Sequence, residues 1–266
     1  MIAVIEKAKE KIEMSAEALD EVWYEKFFSG AALDLWRRAI APEHTEQEVQ
    51  FLHDVLEARS EASLLDVPCG NGRLSMPLSQ MGYRMTALDS CIEFLEEGIK
   101  VTKEFANPID FVSKDMRHLP YSEEFDGAFC MGNSFGYFDR KGTKQFLAGV
   151  AAALKPDANF VLDSSMVAEC FLVNGGEKEW LSLGDMYMLI ENKYDCKRGV
   201  VETDYTFIQN GKEEKRKALH WIYTASDVVQ LLEQNGMTVV GMYGSADFEP
   251  FTLGSERLLL VSKKTD

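Results

Sequence analysis

Asp66-Val67-Pro68-Cys69-Gly70-Asn71-Gly72-Arg73, entered from Leu64-Leu65, is the stretch that decides the fold. An apolar run that meets a Gly-x-Gly turn and continues into a helical pattern is how a parallel sheet brings backbone N–H groups up to a ligand. Glycine suits Gly70 and Gly72 because a Cβ would fill space the ligand needs, and because positive φ costs glycine nothing. Asp89 lies about twenty residues beyond the turn, at the tip of the next strand, where a carboxylate can accept from both hydroxyls of a ribose. Ser75 stands where a dinucleotide fingerprint would have its third glycine. Asp66, at the end of the first strand, would repel a pyrophosphate and attract a cation. The turn therefore reads as a pocket for a nucleoside without phosphates.

Working outward, strands and helices alternate. The pattern predicts a strand at Leu64–Val67, a helix from Arg73 to Met81 stopped by Gly82, and a strand at Met85–Leu88. A helix with Ile92, Leu95 and Ile99, a strand at Ile109–Val112 and a strand at Phe125–Met131 follow. A helix with Phe146, Leu147, Val150 and Leu154 then leads to a fifth strand at Asn159–Leu162. This is the doubly wound α/β pattern, with the carboxyl ends of the strands along one edge. Two last strands, Thr238–Tyr243 and Leu258–Ser262, bring the Rossmann-like sheet to seven. Between them and the fifth strand, three alternating stretches at Met186–Tyr194, Val200–Ile208 and Lys217–Tyr223 predict an antiparallel β insertion, and Asn210-Gly211 carries a hairpin signal. Thr224 with Asp227 predicts a helix start.

The N-terminal part predicts helices. Ile12, Ala16 and Leu19 share one face, an aromatic group of Trp23, Tyr24, Phe27, Phe28 and Trp36 follows, and Thr45 with Glu48 reads as a capping box. Aromatics at helical spacing usually bury against a neighbour, so packing is the favoured role for most of these rings. The expected organisation is a helical lid over residues 1–60, a nucleoside-binding domain over 61–175 and 224–266, and the β insertion over 176–223 as a substrate cap.

Composition narrows the partners. The 266 residues are 46% hydrophobic with a formal net charge of −16, which opposes binding to a phosphate polyanion. Nucleic acid is not an expected partner, and oligomeric state is not legible. Lys212, Lys215, Arg216 and Lys217 alternate with Glu213 and Glu214 and read as a solvated turn. Five separated cysteines with no C-x-x-C pair fit a reducing compartment. Met1–Lys7 turns charged too early for a secretory segment and no apolar run is long enough to span a bilayer, so a soluble, cytoplasmic protein is expected.

Asp66-Val67-Pro68-Cys69-Gly70-Asn71-Gly72 resembles motif I of the class I S-adenosylmethionine-dependent methyltransferases, acidic-apolar-Gly-x-Gly-x-Gly, with Pro68 in place of the first glycine. The resemblance covers about Leu64 to Lys263. It implies S-adenosylmethionine as cofactor and methyl transfer to nitrogen or oxygen, with carbon a further option, of a small-molecule acceptor. It implies that Asp66, Pro68, Gly70 and Gly72 border the cofactor. Asp89, with Ser90 beside it, holds the ribose by this resemblance, and Asp115 and Met116 meet the adenine. Met131 ends the fourth strand beside the cofactor, and Asn133 and Tyr137 in Gly132-Asn133-Ser134-Phe135-Gly136-Tyr137 are candidate acceptor contacts.

No Ser-His-Asp order stands out, and positioning alone can lower a bimolecular barrier substantially, so no triad is required. His220 is the candidate base, since an imidazole titrates in the right range. No metal site is predicted: Asp163 lies at a strand end without a partner pair. The alternatives are a nicotinamide-dependent oxidoreductase on the same sheet and a non-catalytic nucleoside-binding module.

Overall fold

The computed structural model describes residues 23–265; the predicted helix with Ile12, Ala16 and Leu19 lies outside them. The chain divides into two compact units. One comprises the described residues up to Ala39 together with Glu177–Leu219, the other Ile40–Gly176 together with His220 onward.

The larger unit holds α3 (Pro42–Leu56), β1 (Ser63–Asp66), α4 (Ser75–Gln80), β2 (Arg84–Asp89), α5 (Ile92–Thr102), β3 (Asp110–Ser113) and β4 (Phe125–Cys130). It continues with α6 (Arg140–Ala153), β5 (Leu154–Ser164), α7 (Ala168–Asn174), α8 (Ala225–Glu233), β10 (Met237–Tyr243) and β11 (Leu258–Lys264). Its seven strands run in the order β10-β11-β5-β4-β1-β2-β3. Neighbouring pairs among β1–β5 are parallel, whereas β11 is antiparallel to both β5 and β10. Strand order reverses beside β1, which pairs with β2 on one side and β4 on the other. A crevice at the carboxyl ends of the strands is the ligand position such a reversal creates.

The β1 residues Leu64 and Leu65 are fully buried, as a central parallel strand requires. One core joins Val49, Phe51, Leu52 and Leu56 of α3 to Leu64, Leu78, Met85, Phe129, Val161 and Leu259. Residues 40–60, expected with the N-terminal helices, thus share the sheet's own core. Gly127 is the place where α3 comes close, since a Cβ there would lie 3.1 Å from Leu56.

Several expectations need correction. Ala41, not Thr45, precedes the first turn of α3, because Pro42 supplies the preset φ of a first helical residue; Thr45 and Glu48 bind Arg73 instead. The first crossover helix starts at Ser75 rather than Arg73. Ile92 and Ile99 are exposed, and α5 buries Phe94, Leu95 and Gly98. Thr224 and Asp227 do form a reciprocal capping box at the start of α8.

The smaller unit contains α1 (Trp23–Phe27) and α2 (Gly30–Arg38), then β6 (Lys178–Leu183), β7 (Met186–Asp195), β8 (Val200–Gln209) and most of β9 (Lys212–Trp221). Its sheet has the order β6-β7-β8-β9, one strand more than expected. Trp23, Tyr24 and Phe27 are buried, and the Phe27 ring meets Trp36 and Tyr205 edge-on with centroids 5.3 Å apart in both pairs. Asn210 and Gly211 both take positive φ, the geometry of the hairpin turn they predict. The expected solvated turn at 212–217 is instead the start of β9, where Arg216 pairs with Glu214 at 3.0 Å and Lys217 with Asp204 at 2.5 Å. Among the described residues no helix is long and apolar enough to cross a membrane.

Candidate functional site

All the predicted site residues lie in the larger unit. β1 ends in Asp66, whose side chain is buried and accepts from the Ser75 hydroxyl at 2.7 Å. Burial dominates its titration and pushes the carboxyl up to about 7, against the Ser75 hydrogen bond and the Arg73 charge. The residue at the missing third glycine is thus the partner of the motif's own acid, a role the spacing did not reveal.

Beyond Asp66 the loop is anchored by the Cys69 N–H, which donates to the Leu88 carbonyl at 2.9 Å. Pro68, which brings no N–H, lies beside this anchor, half-buried. Gly70 has φ +56°, and its N–H donates to Asp89 at 2.8 Å. The other Asp89 oxygen accepts from the Cys91 N–H at 2.8 Å. Asp89 is therefore a buried carboxylate held by two backbone donors at fixed positions. Burial raises its pKa, and the N–H groups of Cys91, Gly70 and Ser90 oppose that rise. Ser90 itself is exposed.

The glycines show where space has been kept. A Cβ added at Gly70 or at Gly132 would meet no atom within 4 Å, so both backbones border open space. Gly72 has the positive φ expected of it, +83°, and a Cβ there would also lie 3.0 Å from the Phe111 ring, so packing adds a further reason for glycine.

Beyond β3, Asp115 is engaged within the protein. The Arg117 Nε–H donates to its two oxygens at 3.1 and 3.0 Å, and the Arg117 backbone N–H adds a bond of 2.8 Å. The same guanidinium lies 4.8 Å from the Phe138 ring centroid, which ties the loop after β3 to the loop after β4. Met116 is buried. Met131 is a member of the core cluster with Leu74 and Phe129.

The loop after β4 is fixed from beneath. One oxygen of Asp163, at the end of β5, accepts from the N–H groups of Gly132 and Asn133 at 3.0 and 3.3 Å. Asn133 has φ +63°, and its carboxamide oxygen accepts from the Ser165 N–H at 2.8 Å. The amide oxygen therefore braces the loop, and the NH2 is the group with which Asn133 can meet an acceptor. Farther along, Trp221 donates its backbone N–H to Gly136 at 2.7 Å. A Cβ at Gly136 would lie 2.9 Å from the Trp221 carbonyl. This approach sets Tyr137 against His220, edge to ring at 5.3 Å.

His220 is buried, and burial pulls its pKa from 6.5 down to about 4. The native imidazole is thus neutral at neutral pH. An unfolded chain takes up a proton near 6.5 that the native state refuses until about 4, so this residue makes stability fall as pH drops through that window. His220→Gln is expected to remove that contribution in denaturant unfolding measured across the same pH range. An unchanged acid limb would assign the proton uptake to another group.

The open backbone at Gly70 and Gly132, the fixed carboxylate of Asp89 and the buried acid at Asp66 suit a nucleoside that carries cationic groups. Residues 64–157 match the family model described as a methyltransferase domain. The comparisons support a class I S-adenosylmethionine-dependent methyltransferase. It is 27% identical over 222 residues to a cypemycin N-terminal methyltransferase from a Streptomyces species, a match covering 80% of this chain and 86% of that one. A crystal structure of an S-adenosylmethionine-dependent methyltransferase from Clostridium acetobutylicum superposes with a TM-score of 0.75 at 17% identity, covering 88% and 96% of the two chains. CalS10, an amino pentose methyltransferase from Micromonospora echinaspora solved with the cofactor bound, superposes at 0.67 with 16% identity over 89% and 98%. The methyltransferase is therefore S-adenosylmethionine-dependent, and the comparisons lend no support to a nicotinamide oxidoreductase or a non-catalytic module.

Proposed function

We propose that this methyltransferase N-methylates an amine of a small molecule, and that it works in the cytoplasm. The observation that carries the acceptor reading is the pairing of Tyr137 with a buried, neutral His220 beside the loop after β4. An amine attacks through its lone pair and must be neutral when it does so. A neutral imidazole can accept an N–H hydrogen bond and turn that lone pair toward the methyl group. The Tyr137 ring and the Asn133 NH2 bound the acceptor from the β4 side. The chemistry supplied by the cofactor when bound is an electrophilic methyl on a sulfonium, so the protein has mainly to align and to exclude water.

In this reading Asp89 receives the ribose hydroxyls, Asp66 faces the cofactor's positive charge, and Gly70 lets the backbone approach. Asp115, oriented by Arg117, borders the adenine. The cypemycin N-terminal methyltransferase and the amino pentose methyltransferase are both named for acceptors that carry an amino group, which supports nitrogen over oxygen. The net charge of −16 supports a small molecule over a nucleic acid.

The test is methyl transfer from radiolabelled S-adenosylmethionine to a panel of amino acids, amino sugars, short peptides and aliphatic amines, with phenols and catechols alongside. Turnover on amines, reduced in His220→Gln and Tyr137→Ala, is expected. Turnover confined to the hydroxyl acceptors would reject the nitrogen assignment.

A further inference from the structure

Four charged side chains from distant parts of the chain meet under the two loops of the site. Glu48 on α3 is buried, and each of its oxygens serves a different arginine. Oε2 accepts from Arg73 at 2.6 Å, directly after the Gly70–Gly72 turn, and Oε1 accepts from Arg257 at 2.6 Å, just before β11. The Arg257 Nε lies 3.6 Å from Asp163 Oδ1, while Asp163 Oδ2 holds the N–H groups of Gly132 and Asn133. A chain of charges thus runs from the cofactor turn to the acceptor loop within one unit.

Buried ion pairs are poor sources of stability, because desolvation offsets most of their attraction. A network of this kind is better explained by what it holds in place. Here that is an uncommon backbone: Gly132 at φ +77° is followed by Asn133 at φ +63°, and left-handed geometry at a non-glycine residue has to be imposed by its surroundings. Asp163 imposes it by accepting two consecutive N–H groups on one oxygen, which is strongest when the carboxyl is ionised.

We propose that Arg257 is a positioning residue for methyl transfer: its guanidinium, 3.6 Å from one oxygen of Asp163, holds that carboxylate beneath the loop after β4, and the other oxygen pins the loop in its acceptor-facing conformation. This rests on the reading of that loop as the acceptor floor. Burial raises the Asp163 pKa and so does the Glu48 charge, while Arg257 and the two N–H groups lower it. The neighbouring thiols of Cys130 and Cys170 stay protonated, their pKa values raised chiefly by burial and further by Asp163. The Arg257 Nε and Nη2 are buried without a hydrogen-bond partner among the described residues, so the hold on Asp163 is coulombic, and a lysine retains part of it.

The test uses the full chain and two readouts. In amide NMR, the Gly132 and Asn133 N–H resonances report their bond to a charged carboxylate, and their pH titration reports Asp163, with no acceptor required. Arg257→Met is expected to move that titration upward by about one pH unit or more. It is also expected to lower kcat on the best amine by about tenfold or more, with S-adenosylhomocysteine affinity changed by less than about threefold. Arg257→Lys should recover most of both effects. If Arg257→Met does not fold, Asp163→Asn and the double variant Asp163→Asn/Arg257→Met, which removes both charges, carry the test. Each should show the loosened amides and the kcat loss, the double variant no worse than the single. Unchanged amide titration in Arg257→Met, or amides unchanged in Asp163→Asn, would overturn the hold on the loop. Shifted amides with full kcat would overturn the part assigned to catalysis, and would show that the loop is not the acceptor floor while leaving cofactor binding intact.

Discussion

Asp89→Ala is expected to weaken S-adenosylhomocysteine binding, measured by isothermal titration, by about ten- to over a hundredfold, the equivalent of roughly 1.5–3 kcal/mol for a charged hydrogen bond. The size follows from how the carboxylate is held. Backbone N–H groups of Gly70 and Cys91 fix one oxygen each at 2.8 Å, so the lone pairs that remain point where the fold puts them and no ordering is needed on binding. The variant also leaves two backbone donors without their acceptor, so its stability should be measured beside its affinity. Asp89→Asn, which keeps an acceptor for one of them, separates the two effects. If Asp89→Ala folds and binds the ligand as tightly as the wild type, Asp89 does not hold the ribose.

The second large effect concerns Asp66 and pH. The folded carboxyl keeps its proton up to about 7, whereas an exposed one loses it near 3.8. Between those values the native state binds more protons than the unfolded chain, so stability falls as pH rises. A shift of this size corresponds to a loss on the order of 2–4 kcal/mol across the window. His220 acts in the opposite sense over an overlapping window, being stabilised as pH rises from about 4 to 6.5. The two slopes partly cancel in the wild type. Asp66→Asn, whose amide oxygen can still accept from Ser75, is therefore expected to be more stable relative to the wild type at pH 8 than at pH 5, and to expose a steeper acid loss from His220. Its affinity for S-adenosylhomocysteine should drop. The rise in wild-type affinity between pH 6 and pH 8, driven by the ligand's ammonium group favouring the ionised acid, should vanish. Parallel stability profiles for the two proteins would contradict the buried, protonated Asp66.

The sheet was legible because its signals are local. Leu64-Leu65 before Gly70 and Gly72, the apolar runs of β2, β4 and β5, and Asn210-Gly211 each declare themselves within a few residues. What escaped was either non-local or unpatterned. β6 opens with Lys178-Glu179 and sets Trp180 directly beside Leu181, so apolar alternation does not run through its six residues. In α5 Leu95 is buried as the pattern predicts, while the exposed Ile92 and Ile99 drew attention away from Phe94 and Gly98. Of the site, Asp66, Gly70 and Asp89 could be read from motif spacing. Ser75 could not, since it becomes the partner of Asp66 only when the turn folds back. The arginines were harder still: the Glu48–Arg257 contact joins residues 209 positions apart, a separation that only the sheet topology closes. Asp163 lacked a visible partner in sequence for the same reason.

The central claim is that the rim formed by Gly70, Asp89 and the loop after β4 holds a sulfonium nucleoside. A crystal structure of the chain grown with S-adenosylhomocysteine tests it most directly. The account predicts ribose hydroxyls on the Asp89 carboxylate, the ligand passing over Gly70 where a Cβ would meet nothing, and the sulfur directed toward Asn133, Tyr137 and His220. Ligand density anywhere else, with the Asp89 carboxylate touching only its backbone donors, would contradict it.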